Sequence, residues 1–131
     1  MIKYLIDTDI ASYAIKNVQN VIDNFIKHDK DDLYISSITY AELMYGAMRK
    51  DSDKIKNSVV SFVQRLKMTD FDEVCSELYA DIRVNLEKSG TPLDHIDVMI
   101  AATAVSIDAV LITHNVKHFS KIKGLKVEDW S

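Results

Sequence analysis

Apolar positions along this chain come in two kinds of run that alternate. Tyr4-Leu5-Ile6, Leu33 to Ser36 and Ala109-Val110-Leu111-Ile112 are short and continuous, the pattern of strands buried on both faces. Lys67 to Phe71 allows a further strand, and a last short one is expected near Lys126 to Glu128, just before Trp130. Between them the apolar residues recur at helical spacing. One helix follows Asp7 and runs through Ile15, with Asp7, Thr8 or Asp9 as its cap, and a second covers Val18 to His28. The acidic stretch Asp29 to Asp32 reads as a surface loop. Leu43, Met44 and Met48 mark a third helix, and Ile55, Val59, Phe62, Val63 and Leu66 a fourth. A long helix from Asp72 to Ser89 is stopped by Gly90 and Pro92, since glycine accepts a left-handed cap and proline cannot continue the hydrogen bonding. Another helix, about His95 to Ile107, leads into the strand at Ala109.

Strands alternating with helices predict parallel pairing with right-handed crossovers, an α/β fold with helices on both faces of a central parallel sheet. No repeat, low-complexity tract or linker interrupts it, so residues 1–131 are expected to form one domain. Gly46 suggests a close approach inside a helix and Gly124 a turn. Composition adds little to the fold and more to the setting. At 131 residues and 47% hydrophobic the chain can bury a sizeable core without cross-links, and its single cysteine, Cys75, forms no internal disulfide. The opening apolar run stops at Asp7, too short for a signal sequence or a membrane span, so a soluble cytoplasmic protein is expected.

A formal net charge of −4 argues against a generic nucleic-acid binder, which needs lysine and arginine to neutralise phosphates. The distribution is uneven. From His114 to Lys126 the chain carries Lys117, Lys121, Lys123 and Lys126 and no acid, and Arg49, Lys50, Lys54 and Lys56 form a second, mixed cluster. Each run taken alone fits a solvated face.

Candidate chemistry lies with three carboxylates, Asp7, Glu42 and Asp97, each placed where an apolar run gives way to a helical start. Each has a structural explanation too: Asp7 can cap the first helix, Thr39-x-x-Glu42 is a capping-box pattern, and Asp94 can cap the helix on which Asp97 is an early residue. Together they sit at the edge of a parallel sheet where ligands bind. Carboxylates gathered without histidine or cysteine suit a hard ion, Mg²⁺ or Mn²⁺, rather than zinc. There is no Gly-rich phosphate loop, nucleophile elbow or zinc spacing, and Cys75 on a helix reads as core.

Several segments in order then carry a family resemblance: Leu5-Ile6-Asp7-Thr8, Ser36 to Ala47, Gly90-Thr91-Pro92, Asp97 to Ala104, Thr113 to Phe119 and Gly124 to Trp130. The chain resembles PIN-domain nucleases, and among them the VapC toxins of bacterial and archaeal type II toxin–antitoxin pairs. The resemblance implies a three-layer α/β/α PIN-like domain, metal-dependent endoribonuclease activity with a structured RNA such as tRNA as target, a homodimer and a VapB-like antitoxin. It implies Asp7, Glu42 and Asp97 as the catalytic, metal-binding acids. Asp7 and Asp97 would hold the ion, and Glu42 would ligate it or orient and deprotonate the attacking water. The family's fourth acid is missing: neither Asn115 nor His118, the two places for it, is acidic. Asp94, one helical turn before Asp97, is a candidate replacement, or a helix cap. Thr8, Thr113 and Asn115 are candidate donors to the carboxylates or a phosphate, His118 lies beside the same site, and Lys117 and Arg49 are candidates for the RNA backbone.

Other readings stay open at this point. His95 and His118 suggest a metal-free acid–base pair, the missing acid suggests a PIN-like module that binds RNA or protein without cutting, and the acidic edge allows a phosphoacceptor domain. Tyr13, Tyr40, Tyr45 and Met48 are candidates to line a groove for an antitoxin helix.

Overall fold

Successive residues of a strand point to opposite faces of a sheet, so the continuous apolar runs require cover on both sides. The computed structural model describes residues 1–131 and meets that requirement. The strands β1 (Lys3–Ile6), β2 (Leu33–Ser36), β3 (Lys67–Thr69), β4 (Ala109–Ile112) and β5 (Lys126–Glu128) form one all-parallel sheet in the order β3-β2-β1-β4-β5. Leu5 and Leu111 enter one core, and Ile6, Ile112, Leu33 and Ile35 the other. The helices are α1 (Thr8–Ile15), α2 (Gln19–Ile26), α3 (Ser37–Arg49), α4 (Asp53–Gln64), α5 (Glu73–Lys88), α6 (His95–Ser106) and α7 (Val116–Phe119). Ile10, Val21, Val59 and Val63 bring α1, α2 and α4 onto one face, and Ile82, Leu86, Val98 and Ile100 bring α5 and α6 onto the other. The result is a three-layer α/β/α domain. No helix is long and apolar enough to cross a membrane.

The strand order locates the site. From β1 the chain first moves to β2 and β3 on one side, then returns past β1 to β4 and β5 on the other. Such a reversal leaves a crevice at the carboxyl ends of the two central strands, because the connections leaving β1 and β4 go to opposite sides. Asp7 follows β1 and Thr113 follows β4.

Predicted elements and observed ones agree closely, with informative exceptions. The strand expected over Lys67 to Phe71 stops at Thr69, and the acidic loop contains a 3-10 turn at Lys30–Asp32. The α5 stop works as expected: Gly90 takes a φ of +69°, and the Thr91 N–H donates to the Leu86 carbonyl at 2.9 Å. Helix α7 was not expected, because four residues with one buried side chain, Phe119, and no side-chain cap leave no periodicity to read.

Gly46 corrects another expectation. No close approach requires it, since a Cβ there would meet nothing within 4 Å. It lies on α3, beside a groove of about 640 Å³ bounded by α1, α3 and α4. Gly46→Ala should therefore stabilise the protein by about 0.5–1 kcal/mol, through lower unfolded-state entropy and better helix propensity. Thermal melts should show a rise of roughly 2–5 °C. A fall would mean that the groove floor is needed clear for folding itself.

Candidate active site

Asp7 is positioned by the strand ends. Its N–H donates to the Ile112 carbonyl of β4 at 2.8 Å, continuing the sheet by one bond, and the residue is only 6% exposed. One carboxylate oxygen accepts the Thr8 N–H at 2.8 Å, which caps α1, and the other accepts the Thr113 hydroxyl at 2.8 Å. Capping thus occupies one oxygen and aligns the other. Burial first, then the Asp9 carboxylate and more weakly Asp97, push Asp7 up from 3.8 to about 7, against the Thr113 and Thr8 hydrogen bonds that pull it down. Asp9 is raised as well, chiefly by burial, although it accepts N–H bonds from Ile10 at 2.7 Å and His114 at 3.1 Å.

Glu42 reaches the same cleft from the second turn of α3. The capping-box reading of Thr39-x-x-Glu42 is overturned, because α3 begins earlier: Ser36 is the cap, its hydroxyl accepting the Thr39 N–H at 3.0 Å. Glu42 instead accepts the Thr8 hydroxyl at 2.6 Å, and the Thr8 and Thr39 hydroxyl oxygens lie 3.1 Å apart. Asp97 arrives differently again. Its helix follows another helix rather than a strand, and the antiparallel packing of α5 on α6 carries the α6 amino end to the crevice. His118 of α7 holds it, with Nε2 at 3.1 Å from the carboxylate.

Together Asp7, Asp9, Glu42 and Asp97 line a cleft of about 320 Å³ with Thr8, Ser12, Asn115 and Phe119. Four oxygen-donor acids fit a hard divalent ion, whose charge would offset the burial and, to a lesser extent, the neighbouring carboxylates that raise Asp7. No three acid, histidine or cysteine groups already stand at ligating spacing. Thr8 holds one oxygen of Glu42 and His118 one oxygen of Asp97, which leaves the second oxygen of each carboxylate free for an ion or a water.

Comparison with known proteins identifies the family. The family model for the PIN domain matches residues 4–125. A Shigella flexneri protein named tRNA(fMet)-specific endonuclease VapC is 33% identical over 132 residues, covering 100% of both chains. The chain belongs to the VapC family of PIN domains. Ribonuclease VapC2 of Rickettsia felis is 35% identical over 130 residues and 97% of each chain. Among solved structures, DNA-bound VapBC from Salmonella typhimurium superposes with a TM-score of 0.93 at 34% identity, and VapBC2 from Rickettsia felis, bound to a promoter fragment, with 0.91 at 34%, each covering 100% of both chains.

The remaining candidates of this VapC-family chain divide by position. Thr113 is fully buried and oriented toward Asp7, and the Asn115 N–H donates to its hydroxyl at 3.1 Å. Asp94 does not reach the cleft: it is exposed and caps α6, accepting the Ile96 N–H at 3.2 Å. Lys117 is exposed on α7, and Arg49 is exposed at the far end of α3 and absent from the cleft lining. His95 lines a small pocket with Pro92 and Leu93 that shares no residue with the cleft, so no His95–His118 pair forms there. Tyr13 and Tyr40 pack against the α1/α4 core, whereas Tyr45 and Met48 stay 64% and 60% exposed. None of the four lines the α1/α3/α4 groove; Ile15, Leu43, Ala47, Ile55 and Val59 do. Sequence reasoning left Asp9 and Ser12 out of the site. For Asp9 the available signal was its place in the first turn of the helix that Asp7 caps, at the same edge of the sheet.

Proposed function

We propose that this protein is the toxin of a type II toxin–antitoxin pair and a Mg²⁺- or Mn²⁺-dependent endoribonuclease that hydrolyses phosphodiester bonds of tRNA. The observation that carries the reading is the buried Asp7, raised to about 7 in a cleft it shares with Asp9, Glu42 and Asp97. The names of the Shigella and Rickettsia relatives support ribonuclease activity, and the first of them supports a tRNA substrate.

In this mechanism Asp7 and Asp97 would hold the ion. When bound, a divalent cation supplies acidified water and neutralises charge on the phosphoryl oxygens. Thr113 and the Thr8 N–H keep the Asp7 carboxylate aimed into the cleft, and His118 does the same for Asp97. Glu42, steadied by Thr8, orients the attacking water and takes its proton. Lys117 meets the RNA backbone at the cleft edge.

The antitoxin proposed is VapB-like, as in the VapBC neighbours, and its amphipathic segment occupies the α1/α3/α4 groove, whose apolar floor ends at Thr8 and Glu42. The active assembly is a homodimer, and Tyr45 and Met48 supply exposed apolar surface for it. Induced expression should arrest growth with loss of a discrete tRNA, and co-expression of the antitoxin encoded beside the gene should restore it. Arrest with every RNA intact would favour a module that binds without cutting.

The missing fourth acid gives a separate expectation. With Asp94 occupied as a cap, Asp94→Asn should leave a Mg²⁺ titration of cleavage unchanged, since asparagine caps about as well as aspartate. His118→Asp should lower the Mg²⁺ concentration for half-maximal cleavage by roughly tenfold, because an added carboxylate raises affinity for a hard ion. A right-shifted curve for Asp94→Asn would restore Asp94 to the ligand set.

A further inference from the structure

The part of the lysine run beyond Lys117, which the catalytic reading leaves unused, has a structural counterpart. Lys121 and Lys123, on the segment after α7, meet Lys88 at the end of α5 around a pocket of about 300 Å³. Asn85 and Ser89 add polar side chains, Asp81 is the one acid, and three of the nine lining residues are hydrophobic. The three lysines are exposed, and none takes part in an ion pair. No acid occurs between Ala109 and Val127 in a chain whose net charge is −4. The carboxyl end of α5 does not cancel this positive potential, because the carbonyls of Asn85, Leu86 and Glu87 already accept N–H bonds from Ser89, Thr91 and Gly90.

The pocket lies close to the cleft along the chain, although the two share no lining residue. Phe119 lines the cleft and belongs to the same core cluster as Leu86 and Ile122, which line the pocket. Ile122 also donates its N–H to the Phe119 carbonyl at 3.1 Å. Three residues of chain span at most about 11 Å, so a strand leaving the cleft over α7 meets the lysines within a few nucleotides.

We propose that the Lys88/Lys121/Lys123 pocket is a backbone subsite for the RNA substrate, gripping phosphates of the strand on the α7 side of the scissile bond. The proposal rests on the ribonuclease reading and adds where the substrate runs. The α1/α3/α4 groove also carries lysines, Lys16, Lys50 and Lys54, but its apolar floor suits a peptide, whereas the α5 pocket offers charge and hydrogen-bonding groups to a phosphodiester.

The test uses the full chain with Asp97→Asn, to prevent cleavage, and a fluorescent oligouridylate, since binding through the backbone is independent of sequence. Lys88→Gln, Lys121→Gln and Lys123→Gln together should weaken binding by about tenfold or more at low salt, and flatten the dependence of log affinity on log salt by about 0.7 for each phosphate no longer neutralised. The matched Lys16→Gln, Lys50→Gln, Lys54→Gln variant should leave that slope unchanged. In the cleaving background the pocket variant should raise KM for tRNA and keep kcat. An unchanged slope, equal flattening in both variants, no binding by the parent, or loss of antitoxin binding in place of RNA binding would each overturn the proposal. If the parent binds with the expected slope but the cleaving protein cuts no RNA, the ribonuclease reading fails while the subsite stands.

Discussion

Asp7→Asn is expected to do two opposite things: reduce RNA cleavage by a thousandfold or more, and raise the melting temperature of the metal-free protein at pH 7. The first follows from losing a charged ligand, since several kcal/mol of transition-state stabilisation correspond to about three orders of magnitude in rate. The second follows from the raised Asp7, whose pKa moves from 3.8 to about 7 on folding. Between those values the folded chain keeps a proton that the unfolded chain has released, so this group's contribution to stability is full below about pH 4 and is lost as pH rises toward 7. The loss has an upper limit on the order of 4 kcal/mol. Asparagine removes it while its side-chain oxygen still accepts the Thr8 N–H and its amide donates to Thr113, whose hydroxyl also accepts. Calorimetry across pH should therefore show the parent losing stability from pH 4 to 7 more steeply than the variant, and Mg²⁺ should recover stability in the parent alone. A variant that melts lower than its parent at pH 7 would show that Asp7 is a cap and that its charge is tolerated. Asp97→Asn should share the loss of cleavage.

That Asp7 could be singled out at all reflects how directly a parallel sheet writes itself into a chain. Buried strands must be apolar at every position, as in Tyr4-Leu5-Ile6 and Ala109 to Ile112, so the first polar residue after one marks the sheet edge. Asp7 and Thr113 are such residues, and the structure joins them by a 2.8 Å bond. Glu42 was legible by composition but not by cause. The true cap, Ser36, ends a strand and is itself buried, so the box pattern beginning at Thr39 was a coincidence of spacing inside the helix. Asp97 depends on packing between α5 and α6, a tertiary event that no local signal encodes; the sequence grouped it with the others as a residue at a strand end, whereas its helix follows another helix. The bond between His118 and Asp97 is of the same kind, since α7 is too short for any periodicity.

Asp94 and Gly46 show the reverse: the capping reading of Asp94 holds and its role as a ligand does not, and the close approach read at Gly46 gave way to space. Asp94 lies one turn from Asp97 in sequence, yet its carboxylate turns back to the Ile96 N–H because an exposed helix end leaves that donor otherwise unpaired. Gly46 has room for a side chain and borders a groove that sequence alone could not outline, because its walls come from three helices.

Removing the metal is the most direct test of the central claim, that the carboxylate cleft uses a divalent ion to hydrolyse RNA. Purified protein incubated with total RNA should cleave in Mg²⁺ or Mn²⁺, lose activity by a thousandfold or more in EDTA, and regain it when the ion is restored in excess. The ends should be 5′-phosphate and 3′-hydroxyl, because water activated at Glu42, not the ribose 2′-hydroxyl, attacks the phosphorus. Full activity in EDTA, or 2′,3′-cyclic phosphate ends, would contradict the account and return the chemistry to histidine.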